Sequence, residues 1–323
     1  MSDAGARPKI ETFRGDWAEL EQMMQVSWSS NREQPMRYTQ QFLRSAFDYP
    51  GSNIDLAPSI YSGETLKAFV GGFPRTARLW GRPVRLLLNS FLTASLEARK
   101  SGYGLILWRA LLDRAEKAGY QGTINFCVQG DEMNEMMPAV ARLFRLNTQQ
   151  IYTVEYLSRF LRPAEARELL PASDLEIELF CELAAEIVDN VPLARTWTYA
   201  EAEWQCRNRC DAISASLKEG GHRGMLTGYA MEAGTPTTRV AMLEDLFWGD
   251  LDDSQRRALL RNFLDAAAAR QCQVVSCPVL GYSSVETLTA TGFRRSHRVL
   301  HTYLTLWNDQ TPRQVSSIYV DVV

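Results

Sequence analysis

The sequence predicts a mixed α/β fold, a largely antiparallel mixed sheet flanked by helices, built as two units in tandem. Three observations carry this. Apolar strand patterns at Leu86–Leu88 and Phe91–Ala94 run into a glycine-containing loop and then an amphipathic helix, and another strand and helix follow at once. From Met225 onward the order strand, strand, helix, strand, short helix, closing strand recurs. Between the two stretches lies a proline-marked connector, Arg162-Pro163 through Pro171 to Asp174, with a short helical pattern, so the expected units are 1–162 and 163–323.

The elements follow in order. Asp16 is placed to cap a helix through Leu20, Met23, Met24 and Trp28. Gln34 to Phe47 reads as a second helix, and Tyr49 to Asn53 as a turn. Leu66–Val70 reads as a strand ahead of Gly71-Gly72, and Arg78–Trp80 with Val84–Leu88 as a hairpin about Gly81-Arg82-Pro83. Leu105, Trp108, Leu112 and Ala115 make the apolar stripe of the next helix, and Gly119 stops it. Thr123–Val128 is a strand. A helix from Asn134 to about Leu146 contains Pro138, which suits a first turn but not a deeper one, so a start near Met137 is expected. Ile151–Leu161 is a strand and ends the first unit. In the second unit, helical patterns surround Trp197, Trp204 and Ile213. Strands Met225–Ala230 and Thr238–Trp248 flank a turn at Gly234-Thr235-Pro236, and Asp253 or Ser254 caps a helix through Leu259, Phe263 and Ala267. Val274–Pro278 is a strand, Tyr282–Thr291 a short helix, and Arg298–Leu306 the closing strand.

Composition narrows the function. The 323 residues are 46% hydrophobic and 23% charged, enough for a large core. A net charge of -3 gives no global basic surface for nucleic acid. No apolar run is long enough for a membrane span, and the small, polar N-terminus is unlike a secretory signal, so a cytoplasmic protein is expected. None of the six cysteines forms a C-x-x-C pair, and neither Cys206 with Cys210 nor His297 with His301 has further ligands nearby in sequence, so no metal site is assigned.

The loop Arg99-Lys100-Ser101-Gly102-Tyr103-Gly104 is the most informative stretch. A strand feeding a helix through glycines aims several backbone N–H groups at one place, and the helix terminus adds partial positive charge. Glycine lets a ligand approach with no Cβ in the way, and Arg99 and Lys100 add charge. The pattern suits a phosphate group.

From Leu92 to Asn134 the chain resembles the acyl-CoA-binding core of GNAT-type N-acyltransferases. In that family a strand is followed by Q/R-x-x-G-x-G/A, a helix, a strand and an Asn opening the next helix. Here these are Leu92–Ser95, Arg99–Gly104, Tyr103–Ala118, Thr123–Val128 and Asn134. The resemblance implies that amides of Arg99, Lys100, Ser101, Gly102, Tyr103 and Gly104 hold the CoA pyrophosphate. It also implies that Leu92, Thr93 and Ala94 lie along the pantetheine arm. The donor would be acetyl-CoA or a longer acyl-CoA, or an acyl carrier protein presenting the same arm. The acceptor would be an amine on a small molecule or peptide; tandem units of this kind occur among enzymes that acylate natural-product peptides or amines. The chain departs from the family in lacking a Tyr within Ala141–Asn147, where many members place the acid that protonates the departing thiolate. The second stretch also resembles a GNAT-type unit, with Thr291-Gly292-Phe293 matching the family's helix-end Gly-Phe, but Asp250, Asp252 and Asp253 stand where its phosphate loop would be. Carboxylates there repel pyrophosphate, which leaves that unit a structural or acceptor-binding role.

An alkyl amine is protonated at neutral pH, so the reaction needs a base. Candidates in the first unit are Glu97, beside the loop, and Asp131, Glu132 and Glu135. Glu244 and Asp245 interrupt an apolar strand and are placed to face an inter-unit cleft and a cationic acceptor. The expected function is N-acyl transfer. The alternative is a non-catalytic module that binds acyl-CoA or a peptide through a retired active site.

Overall fold

Among the described residues, fourteen strands form one sheet that runs from one half of the sequence to the other. The computed structural model describes residues 8–29, 36–166, 168–234, 236–307 and 311–322. The N-terminal elements are β1 (Ile10–Thr12), α1 (Trp17–Ser29), β2 (Met36–Arg37) and α2 (Gln40–Phe47). Asp16 Oδ1 accepts the Glu19 N–H at 3.1 Å, as its position before α1 predicts. The second helix is shorter than its pattern suggests. Thr39 caps it by accepting the Phe42 N–H, and Met36 and Arg37 instead pair with Ala233 and Glu232 as an edge strand; Gln34 and Pro35 lie outside the described residues.

Strand β3 (Pro58–Ser62) leads into the long hairpin of β4 (Thr65–Leu79) and β5 (Arg82–Ala94). Its turn, Trp80-Gly81, has φ of 50° and 79°, the backbone twist that matches paired strands. Gly71-Gly72 does not end a strand, because β4 runs through both. A Cβ on Gly72 would lie 2.6 Å from Leu87 Cδ2 and 2.9 Å from Leu111 Cδ1. The glycine is there so that the helix carrying Leu111 can seat on the sheet. That helix is α3 (Tyr103–Lys117), followed by β6 (Gly122–Val128), α4 (Glu132–Leu143) and β7 (Asn147–Phe160). Helix α4 begins at Glu132, earlier than expected, and holds Pro138 inside it. The missing proline N–H removes one helical bond, to the Asn134 carbonyl, and the helix continues on the packing of Met137, Val140 and Ala141.

No regular element occupies the described part of the connector, residues 161–166 and 168–173, so its helical pattern is not realised. Beyond it come α5 (Asp174–Val188), β8 (Leu193–Arg195), α6 (Tyr199–Glu203), β9 (Ala212–Glu219), β10 (His222–Ala233) and β11 (Thr238–Phe247). Ile213 belongs to β9 and not to a helix, since its edge pairs with Gly228 of β10. Helix α7 (Asp253–Ala269) is capped by Asp252, one residue before the expected pair. Strand β12 (Val274–Val279), the short α8 (Glu286–Ala290), β13 (Arg294–Leu306) and β14 (Ile318–Tyr319) complete the chain.

The sheet order β6-β13-β7-β12 locks the two halves together. Strand β13 lies antiparallel between β6 and β7, and β7 pairs antiparallel with β12. Each half's closing strand is therefore hydrogen-bonded to strands of the other half. The largest core cluster is likewise shared, with Phe69, Leu86, Ile124 and Val154 meeting Tyr229, Met242 and Leu304. Among the described residues, no helix is long and apolar enough to cross a membrane.

The C-terminal segment is drawn inside. Strand β14 pairs parallel with β8, and Asp321 sits between two guanidinium groups. Arg75 Nε lies 2.8 Å from Asp321 Oδ1, and Arg195 Nη1 lies 2.9 Å from the same atom. All three residues are almost fully buried. Burial alone would raise the Asp321 pKa, but the charges of Arg195 and Arg75 outweigh it and hold the carboxyl far below its usual range. We expect Asp321→Ala to cost roughly 3–5 kcal/mol, because it leaves two buried cations unpaired. A lowered native pKa contributes stability above the unfolded carboxyl's pKa and loses it as pH falls through the native one. In denaturant titrations the gap between wild type and variant should be full at neutral pH and shrink only below about pH 4; a gap unchanged in acid would refute the assignment.

Candidate functional site

Strands β5 and β6 run parallel and paired from Leu86 and Gly122 to Asn89 and Asn125, and then part. Beyond that point β5 continues to Ala94 and β6 to Val128. On its other side β5 carries a bulge. Thr93 faces Phe69 and Ser90 faces Gly71, so Phe91 and Leu92 together oppose Val70. Phe91 holds φ at 60°, an uncommon value for a bulky residue. Its ring is packed edge-on against Tyr38 and Phe73, with centroids 5.1 and 5.5 Å away, which holds the strained backbone in place. The bulge thus sits at the mouth of the gap between the strands.

A groove of about 270 Å³ opens on one side of this gap, between the end of β5, the start of α3 and the start of α4. Thr93, Ala94, Arg99, Gly102 and Gly104 line it, so the loop and the strand end singled out in the sequence come together. Gly102 is the N-cap of α3 with φ 77° and gives the helix no side-chain cap. The first α-type bond of α3 runs from the Ile106 N–H to the Gly102 carbonyl, which leaves the N–H groups of Tyr103, Gly104 and Leu105 outside the helical ladder. A Cβ on Gly104 would have Leu92 Cδ1 as its nearest neighbour, 4.0 Å away, so this glycine keeps the groove open rather than easing a tight contact. The Thr93 hydroxyl is buried with no hydrogen-bond partner among the described residues.

The corresponding helix of the second half differs. Asp252 Oδ1 accepts the N–H groups of Ser254 and Gln255 at 2.8 and 2.9 Å, so the terminus of α7 is filled by the chain's own carboxylate. A Cβ on Gly249 would lie 2.0 Å from the Arg223 carbonyl oxygen, so here a glycine makes room for packed backbone rather than for open space.

A cavity of about 160 Å³ lies deeper and shares Trp28, Leu92, Asp131 and Met133 with the groove. It passes through the gap in the sheet, from Asn89, Trp108 and Asn125 on the α3 side to residues of the second half, Tyr229, Met231 and Met242. Tyr156 of β7 and Arg298 of β13 border it, and Val322 brings the C-terminal segment to its wall. The Tyr156 hydroxyl is buried without a hydrogen-bond partner among the described residues, and burial pushes its pKa up to about 12. Burial also raises the Cys127 thiol to about 12, so this cavity cysteine stays protonated at neutral pH. Among the described residues no three metal-binding side chains gather.

The carboxylates proposed from sequence occupy different places. Glu97 is exposed, pairs with Lys67 at 3.0 Å, and lines neither groove nor cavity. Asn134 of α4 accepts from the Tyr303 hydroxyl at 3.1 Å and meets His301 Nδ1 at 3.0 Å. Lys100, Ser101 and Tyr103 are in the loop but do not line the groove. Glu244 and Asp245 are buried, and the cation they meet is internal. Arg209 binds Glu244, and Gln205 Nε2 bridges the two carboxylates at 2.9 and 3.0 Å. Thr227 and Tyr319 donate to Asp245. Neither residue lines groove or cavity. Of the acids named from sequence, Asp131 lines both spaces. Asn89, Asn125, Tyr156 and Tyr229 were not singled out in the sequence. They sit in ordinary strand patterns, and only the parting of β5 from β6 and the insertion of β13 bring them to one cavity.

Burial, reinforced by Glu244, raises the Asp245 carboxyl to about 6, against smaller opposing hydrogen bonds from Thr227 and Gln205. A raised acid pKa means that the native state binds its proton more readily than the unfolded chain, so wild-type stability falls as pH rises from about 4 to about 6. Asp245→Asn lacks this titration. Its unfolding free energy relative to wild type should climb across that window and level off above it; a flat difference would show that Asp245 binds its proton no more tightly in the native state than in the unfolded chain.

No protein-family profile matches this sequence, and no curated protein sequence matches it significantly. Solved structures do. The chain is similar to Saccharomyces cerevisiae N-myristoyltransferase with bound myristoyl-CoA at a TM-score of 0.74 and 14% identity, over 99% of this chain and 92% of that one. A second structure of that yeast enzyme, with bound myristoyl-CoA and inhibitors, gives the same score over 89% of its chain. A GCN5-related N-acetyltransferase from Kribbella flavida is similar at a TM-score of 0.56 and 14% identity, over 93% of this chain and 71% of that one. The parted strands, the glycine loop at the head of α3 and these likenesses agree on one architecture: the chain has the GNAT fold, arranged as two tandem units around a single sheet.

Proposed function

We propose that this protein transfers an acyl group from a CoA thioester to an amine. The observation that carries the reading is continuity: the groove at the head of α3 and the cavity beneath it share walls through the gap between β5 and β6. A long donor can lie in the first while its reactive end reaches the second. That the similar yeast structures hold myristoyl-CoA supports a CoA thioester as donor.

In this reading the first half, residues 1–162, holds the donor. Arg99 and the N–H groups opening α3 take the pyrophosphate. The pantetheine arm runs along Leu92–Ala94, where the Thr93 hydroxyl supplies a partner for one of its amides. Beyond the arm, the backbone at the Phe91–Leu92 bulge, unpaired in the β4–β5 register, is placed to donate to the thioester oxygen as it gains charge. The second half, residues 163–323, supplies the acceptor's wall through Tyr229, Met231 and Met242, and Asp252 keeps its own helix terminus from taking a second anion. Asp131 is the carboxylate positioned to take a proton from the attacking amine, directly or through water. The new C–N bond forms as the C–S bond breaks, and the thiolate needs a proton. The Tyr156 hydroxyl, protonated and unpartnered in the cavity wall, answers the absence of a Tyr at the end of α4. The acceptor is an amine on a small molecule or a peptide.

Two outcomes test this. Gly104→Val fills open groove, where a Cβ would have only Leu92 Cδ1 beside it, at 4.0 Å, so CoA affinity by calorimetry should drop at least tenfold with little change in melting temperature. Tyr156→Phe should lower kcat by about 100-fold in a thiol-release assay with pooled amines. It should leave stability unchanged, since the lost hydroxyl has no partner. Tight CoA binding by the wild type with no thiol release from any donor would assign the chain to the non-catalytic reading.

A further inference from the structure

Two asparagines stand where β5 and β6 part. Asn89 and Asn125 are the last residues that β5 and β6 pair with each other, and both are more than nine-tenths buried in the cavity wall. Asn89 Nδ2 donates to Asn125 Oδ1 at 2.8 Å, and Trp108 Nε1 approaches the same oxygen at 3.4 Å. The indole N–H can only donate, which fixes the Asn125 amide with its oxygen toward Trp108. One acceptor, Asn89 Oδ1, and one donor, Asn125 Nδ2, remain buried and without partners among the described residues. Turning both amides over would still leave one donor and one acceptor. Each such group, left unmade, carries the full desolvation penalty of a buried polar atom. An apolar pair at these positions would serve an alkyl chain better.

Their place along β5 says what would meet them. An arm running along Ala94, Thr93 and Leu92 presents its thioester at the bulge, and Asn89 lies two residues beyond Phe91, roughly 7 Å further along the strand. The next part of the donor is the acyl chain. Trp108 and Met137 border the cavity there, and its total of about 160 Å³ compares with the ~150 Å³ of an apolar cavity that holds one benzene. Resting on the acyl-transfer reading above, we propose that Asn89 and Asn125 form the blind end of the donor's acyl subsite. They select a short acyl group that ends in a combined donor and acceptor, a hydroxyl or a carboxamide, over a plain alkyl chain. Such a group satisfies both amides at once, whereas a methyl end leaves both unpaired. Discrimination of this kind exceeds what an apolar pocket obtains from a methylene.

Calorimetry on the full chain tests it with CoA, butyryl-CoA, ω-hydroxybutyryl-CoA, hexanoyl-CoA, ω-hydroxyhexanoyl-CoA and myristoyl-CoA as probes. The expected result is that CoA binds and that one hydroxylated thioester binds at least tenfold more tightly than its plain counterpart. In a folded Asn89→Leu/Asn125→Leu variant, checked by circular dichroism, that preference should vanish while CoA affinity is retained. If CoA binds but matched plain and hydroxylated thioesters have equal affinity, the amides are satisfied by water and the inference falls, with the donor site intact. Tightest binding of myristoyl-CoA overturns it too. If CoA itself does not bind, the acyl-transfer reading fails and takes this inference with it. The wild-type comparison stands even where the double variant does not fold.

Discussion

Asp321 is the tie on which the architecture depends. It comes from the last described stretch of the chain, yet it binds Arg75 on β4 of the first half and Arg195 on β8 of the second. Arg195 continues the network to the Tyr49 hydroxyl at 2.8 Å, and Tyr49 donates to Glu201, which completes the capping box that Thr198 begins at the head of α6. A buried ion pair gains little over an apolar replacement, but it is costly to break and tolerates few alternative arrangements. Placed between the halves, it fixes how the C-terminal segment threads inward. That threading puts Val322 on the cavity wall.

The insertion of β13 between β6 and β7 has a second effect. Its backbone satisfies two strands that would otherwise present open edges, and in doing so carries Arg298 and Leu300 to the cavity. The gap on the other side of β6 can then exist without loss of the sheet, because the long β4–β5 hairpin and the β6–β13–β7 group are each well paired. The bulge at Phe91 directs the strand away, and the aromatic packing of Tyr38 and Phe73 keeps it there. The two units have become unequal in the same terms. A glycine stands before α3, and an aspartate before α7.

Several errors of sequence reading have one physical source, local pattern outweighed by tertiary pairing. Ile213 follows a helical run but pairs at the edge of β10. Gly71-Gly72 looks like punctuation, but the strand runs through it and Gly72 admits Leu111 of α3. Pro138 looks like a start signal but lies within a helix whose buried face compensates the lost bond. Glu244 and Asp245 stood out as acids in an apolar strand, and they are unusual, but the charge they answer is Arg209. A sequence shows that a buried carboxylate needs a partner without showing whether that partner is a ligand or the protein itself.

The sequence by itself determined the mixed sheet, the doubled order of elements and the glycine loop that opens α3. These rest on periodicity, turn residues and spacing, all local along the chain. Only the tertiary structure decided where β5 leaves β6, which strands neighbour β13, and which polar side chains reach the cavity. Those depend on pairings between residues far apart in sequence. Asn89 lies 36 positions from Asn125, and Arg75 lies 246 positions from Asp321. Such partners are chosen by register and burial, and no stretch of residues read alone contains either.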